Sequence, residues 1–185
     1  MSMLPIGPLM IEHRRIERMI KVMKHALLQA EERRKISPRF IETATDFIRA
    51  YADRCHHGKE EDILFREVKK KTIAPEHQTI MEELIAEHER GRQVTARLIE
   101  ANSRYMKGDE GALPEIFDCI RTLIGFYPKH IQKEDKNFFL PIMGYFSKEE
   151  KDSMLMEGYR FDADLLHEEY QQIVKETEDA FPLKL

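Results

Sequence analysis

The chain has 185 residues, 42% apolar and 35% charged, with a formal net charge of -4. That length fits one domain with a real core, and the mixed, mildly acidic charge gives no electrostatic case for a nucleic-acid or anionic-membrane partner. Cys55 and Cys119 stand far apart in no zinc-like spacing, which excludes a disulfide framework or thiolate site as the organising principle.

Few Gly and Pro residues and abundant Glu, Lys, Met and Leu favour helix throughout. The first helix is expected over about 9–33, with Pro8 in its first turn and Ile16, Met19, Ile20, Met23 and Leu27 at helical spacing. Ser37-Pro38 reads as an N-cap followed by proline at the first helical position. It opens a long second helix over 38–70, whose stripe runs from Phe40 through Phe47, Tyr51 and Cys55 to Val68. The third helix spans 75–107 and is stopped at Lys107-Gly108. The fourth spans 114–144, with Pro128 predicting a kink or tight turn inside it. Ser147-Lys-Glu-Glu150 is a capping-box pattern that opens a C-terminal helical extension over 147–180, which Gly158 should interrupt. The expected fold is all-α, a single domain built as an antiparallel up-down four-helix bundle with the extension packed on it. The N-terminal apolar stretch is too short to span a membrane and lacks a secretory signature, so the expected compartment is the cytoplasm.

Two motifs carry chemistry. His57-Gly-Lys-Glu-Glu61 and His130-Ile-Gln-Lys-Glu134 each place an imidazole and a carboxylate four residues apart, on one helical face. Folding the helices back on one another about turns near residues 36, 73 and 110 brings His13, His57, Glu61, His88, His130 and Glu134 to within about one helical turn of a common plane. His56 lies about 100° round the helix from His57, so it shares that face only if the register shifts to His56-Glu60. His25 and His77 read as surface residues. None of the eight histidines has Glu three residues before it, which argues against a ferritin-like di-iron oxidase.

The pattern His13, His57-x3-Glu61, His88, His130-x3-Glu134 resembles the hemerythrin-like (HHE cation-binding) family over residues 9–145. The resemblance implies a helical bundle around two non-haem iron ions, joined by an oxygen bridge, with Glu61 and Glu134 bridging them and histidines as terminal ligands. It implies binding of dioxygen, nitric oxide or peroxide for sensing, storage or scavenging. The alternatives are an enzyme that reduces or disproportionates peroxide or nitric oxide, which would need a redox partner the sequence does not identify, and a metal-free helical interaction domain. Zinc or manganese would also suit such ligands. Two departures from the oxygen carriers stand out. Position 92 is an arginine where they have a second histidine on the third helix, and Asp135 competes with Glu134 for the bridging role. His167, on the C-terminal extension, is the expected replacement ligand, with a solvated side chain beside Glu168 and Glu169 as the alternative.

Overall fold

A computed structural model describes the backbone of residues 3–180 and the side chains of residues 3–166. Helix α1 is Ile6–Arg33, with Pro8 in its first turn. Helix α2 starts at Pro38–Phe47, where the Ser37 hydroxyl accepts from the Phe40 amide. It continues through two wide, i→i+5 bonded segments, Ile48–His57 and Glu60–Phe65, to a final turn Arg66–Val68. Helix α3 is Pro75–Met106. Its stop is the predicted one: Gly108 takes φ 93°, the Asp109 amide donates to the Arg104 carbonyl and the Gly108 amide to that of Tyr105. Helix α4 runs from Leu113–Lys133 through a wide segment Glu134–Phe138 to Phe139–Ile142. Helix α5 is Lys148–Ala180.

Pro128 lies inside α4, which runs on past it to Lys133, so of the kink or tight turn expected there the tight turn does not form. Gly158 does not interrupt α5 either; an isolated helical glycine costs about 1 kcal/mol, which the packing of this helix offsets. The capping box does form: the Ser147 hydroxyl accepts from the Glu150 amide and the Glu150 carboxylate from the Ser147 amide.

The core is divided in two. One apolar cluster holds Ile16, Ile20 and Met23 of α1, Ile41 and Ile48 of α2, Leu98 of α3 and Ile120 and Leu123 of α4. The other holds Ile6 and Leu9 of α1, Ile63, Leu64 and Phe65 of α2, Met81 and Leu84 of α3, Phe138 and Phe139 of α4, and Met154 of α5. Full burial of each such side chain is worth about 1.5–3 kcal/mol. Between the clusters, at one level, lie buried polar residues, among them His13, His56, His57, Glu60, His88, His130 and Glu134. Along α1 and α3 the second cluster precedes these residues; along α2 and α4 it follows them. Helix α5 packs on the Glu60–Phe65 segment of α2. Pairs from Arg66 to Glu157 (2.8 and 2.7 Å) and from Lys71 to Glu150 (2.5 Å) fasten it there. Among the described residues no helix is long and apolar enough to cross a membrane.

Candidate metal centre

An ionised carboxylate inside an apolar bundle is costly unless something positive meets it. Here two, Glu60 and Glu134, are fully buried, so the residues around them must supply the compensation.

Among the described residues, five imidazoles surround the pair. His13 Nε2 lies 3.9 Å from Glu60 Oε1 and 3.1 Å from Glu134 Oε2, and His56 Nε2 lies 3.2 Å from Glu60 Oε1. On the other side, His88 Nε2 is 3.3 Å from Glu60 Oε2 and 3.7 Å from Glu134 Oε1, and His130 Nε2 is 3.2 Å from Glu134 Oε1. His57 completes this side, stacked on His88 with ring centroids 3.9 Å apart. Donor atoms of His13, His56, Glu60 and Glu134 lie within 4.8 Å of one another, and so do those of His57, Glu60, His88 and His130. The two groups share Glu60, and Glu134 likewise turns one oxygen to each.

Every one of these histidines has its Nδ1 against an outer carboxylate. The pairs are His13 with Asp135 (2.7 Å), His56 with Glu12 (2.9 Å), His57 with Asp53 (3.3 Å), His88 with Glu61 (2.7 Å) and His130 with Glu87 (2.9 Å). A carboxylate can only accept, so each Nδ1 carries a hydrogen and each Nε2 faces the interior, where its lone pair serves a cation once any proton there is displaced. The outer carboxylates in turn meet cations. Arg14 pairs with Asp135, Lys59 with Glu12, Lys133 with Glu87, and Arg92 spans Asp53 and Glu61 at 2.8 and 2.7 Å.

These contacts shape the titration of the metal-free site. Burial disfavours a charged His13, but the hydrogen bond to Asp135 and the negative charges of Glu134 and Glu60 more than offset it, raising His13 to about 10. Burial likewise opposes a charged His88, and Glu134, Glu60 and Glu61 together raise it to about 11. His57 moves the other way, held well below the usual histidine range by burial and by the charge of His88. For Glu134, burial and the charge of Glu60 favour protonation, yet His130, His13 and His88 hold it down at about 2.

The structure brings His13, His57, His88, His130 and Glu134 together as expected. It corrects Glu61: that carboxylate lies outside the cluster, accepting from His88 Nδ1 and Arg92, and Glu60 takes the interior place. Asp135 is resolved in the same way, holding His13 from outside while Glu134 points in. His56 also enters, by the shifted His56-Glu60 register. The physical reason is the wide bonding of α2. In a regular α-helix His56 and His57 diverge by about 100°, whereas the i→i+5 segments Ile48–His57 and Glu60–Phe65 re-aim the chain so that both rings face inward. The signal in the sequence was the overlap itself, since HHGKEE contains two His-x3-Glu pairs one residue apart. The His167 side chain lies outside the described residues; among those described, His56 is the fifth imidazole of the cluster. Arg92 replaces no ligand but ties together two of the outer carboxylates. Glu12, Asp53 and Glu87 carry no spacing signal of their own in the sequence, and only the fold sets them against imidazoles.

Among the described residues, eight interior atoms are buried without a hydrogen-bond partner: Nε2 of His13, His56, His88 and His130, and both carboxylate oxygens of Glu60 and of Glu134. Lone pairs of nitrogen and oxygen converging in this way fit a divalent or trivalent transition-metal ion better than any protein donor. No curated protein and no solved structure matches the chain. A family model does: that of the hemerythrin HHE cation-binding domain, over residues 4–140, a span that contains every residue of the cluster. The chain is thus a member of the hemerythrin HHE cation-binding domain family.

Proposed function

We propose that the chain holds two iron ions, one at His13 and His56 and the other at His57, His88 and His130, with Glu60 and Glu134 bridging them, and that it binds a small ligand there: dioxygen, nitric oxide or peroxide. The observation that carries this reading is the set of eight orphaned interior donors, divided so that each carboxylate turns one oxygen to each group. The up-down order of four helices belongs to the same reading. It is supported by the alternating order of the two apolar clusters and by cross-pairs such as Glu31 with Arg121 and Arg14 with Asp135.

The donor set is asymmetric, with two imidazoles at one position and three at the other. With both carboxylates shared and about six coordination places per ion, the His13/His56 position is the less saturated, and an external ligand is expected there. Bound iron would supply reversible electron transfer to that ligand. The protein's part is to orient five imidazoles through their Nδ1 contacts and to shield the centre with Phe65, Phe138 and Phe139, all fully buried.

Metal analysis of protein purified from iron-supplied cells should give about two irons per chain. A chain isolated metal-free that also takes up no iron on reconstitution would sink the proposal. Stopped-flow spectra then separate a stable oxygen or nitric oxide adduct, which this reading expects, from steady turnover of peroxide or nitric oxide.

Metal uptake should also release protons. His13 and His88 are raised to about 10 and about 11, so at about pH 7.5 both carry a proton at Nε2 that a cation must displace. Calorimetric titration of the metal-free chain in buffers of different ionisation enthalpy should give a binding heat that varies with the buffer, in the sense of release. A buffer-independent heat would contradict this.

A further inference from the structure

Helix α5 begins at Lys148, beyond the residues that match the family, yet one of its side chains reaches toward the centre. Asp162 Oδ1 lies 2.5 Å from Lys59 Nζ, and the same ammonium lies 2.5 Å from Glu12 Oε1. The other oxygen of Glu12 accepts from His56 Nδ1 at 2.9 Å. Donor atoms of Glu12, Cys55 and Asp162 lie within 4.8 Å of one another and resemble a third cation site, but the Lys59 ammonium already fills it. Lys59 is 4% exposed, and a buried lysine is retained charged only where carboxylates meet it. The approach of α5 is close. A Cβ added at Gly58 would stand 2.8 Å from Cζ of Phe161, the residue next to Asp162.

Among the outer pairs this one is distinctive. Asp135, Asp53, Glu61 and Glu87 take their cations from α1, α3 and α4, within the matched span, whereas the Lys59 that steadies Glu12 is itself held from α5. We propose that Asp162 and Lys59 are positioning residues for the metal centre: acting through Glu12 they orient His56, so that docking of α5 sets the affinity of the His13/His56 position. This rests on the two-ion reading above. The position so controlled is the less saturated one, where an external ligand is expected, and α5 thereby becomes a working part of the centre.

The test is titration of the metal-free 185-residue chain with cobalt(II), followed by the visible absorption of the bound ion. In wild type, two ions should bind. Lys59→Met should weaken one of them by about 10- to 100-fold, the usual effect of losing an outer partner of a ligand histidine. Asp162→Asn, at a partly exposed position where folding is not at risk, should weaken the same ion by about 10-fold, alter its absorption band and leave the other within about twofold. Asp162→Glu should restore much of the loss. In a His13→Ala background, where only the His57/His88/His130 ion is expected to remain, Lys59→Met should have no further effect. A wild-type chain that binds no cobalt overturns both proposals. Two tight ions with unchanged spectra in Asp162→Asn and Lys59→Met overturn this one alone, as does equal weakening of both ions.

Discussion

Glu60→Gln is expected to reduce bound metal from about two ions per chain to less than one, while Glu61→Gln, one residue away, should keep both and lose only about 10- to 100-fold in affinity. The contrast follows from geometry. Glu60 is fully buried and turns Oε1 to His13 and His56 and Oε2 to His88, so one substitution removes an anionic donor from both positions. The amide that replaces it brings an N–H toward imidazole nitrogens that the cations need. Glu61 acts at one remove, fixing His88 through Nδ1 with Arg92 behind it. Metal content by mass spectrometry checks the pair. If Glu61→Gln empties the site and Glu60→Gln does not, the assignment of the bridging carboxylate is wrong.

Stripping the metal should lower the thermal midpoint by at least about 15 °C. Each ion at a thousandfold excess over its dissociation constant adds about 4 kcal/mol to the folded state, and in a chain of this size each kcal/mol is worth about 2–4 °C. The metal-free centre is not without compensation, because protons on His13 and His88 partly neutralise Glu60 and Glu134. Even so, two protons cannot serve all four carboxylate oxygens, and a buried oxygen left without a hydrogen bond costs about 1–3 kcal/mol. Scanning calorimetry before and after chelation reads the difference directly. Melting points within a few degrees of each other would mean that the cage is held by its own protons and outer pairs rather than by cations.

Much of this was legible in the sequence because the signals were periodic. Proline, serine and glycine at the helix ends placed the boundaries to within a few residues, and reflection of one helix on the next put His13, His88 and the His130-Glu134 pair at a common level. What was not legible depended on departures from regularity. The interior places of His56 and Glu60 rest on i→i+5 bonding in α2, which no residue between Ile48 and Phe65 announces. The continuity of α5 through Gly158 depends on packing against α2, a long-range matter that overrides local propensity. The outer carboxylates were hidden for a different reason. Glu12, Asp53 and Glu87 look like ordinary solvated acids until tertiary structure sets each against an imidazole.

The wide turns of α2 have a consequence for chain length. An i→i+5 turn accommodates an extra residue within a helix without making a loop, so it can also give one up. Deleting one residue between Ile48 and Ala52 would let the turn tighten to i→i+4 and leave the donors beyond it facing the cage. The same deletion in the regular helix α3, ahead of His88, meets no wide turn and would rotate His88 by about 100°, out of the cage with no ligand mutated. The wide turns of α2 are slack that guards the donor set against a change in residue count.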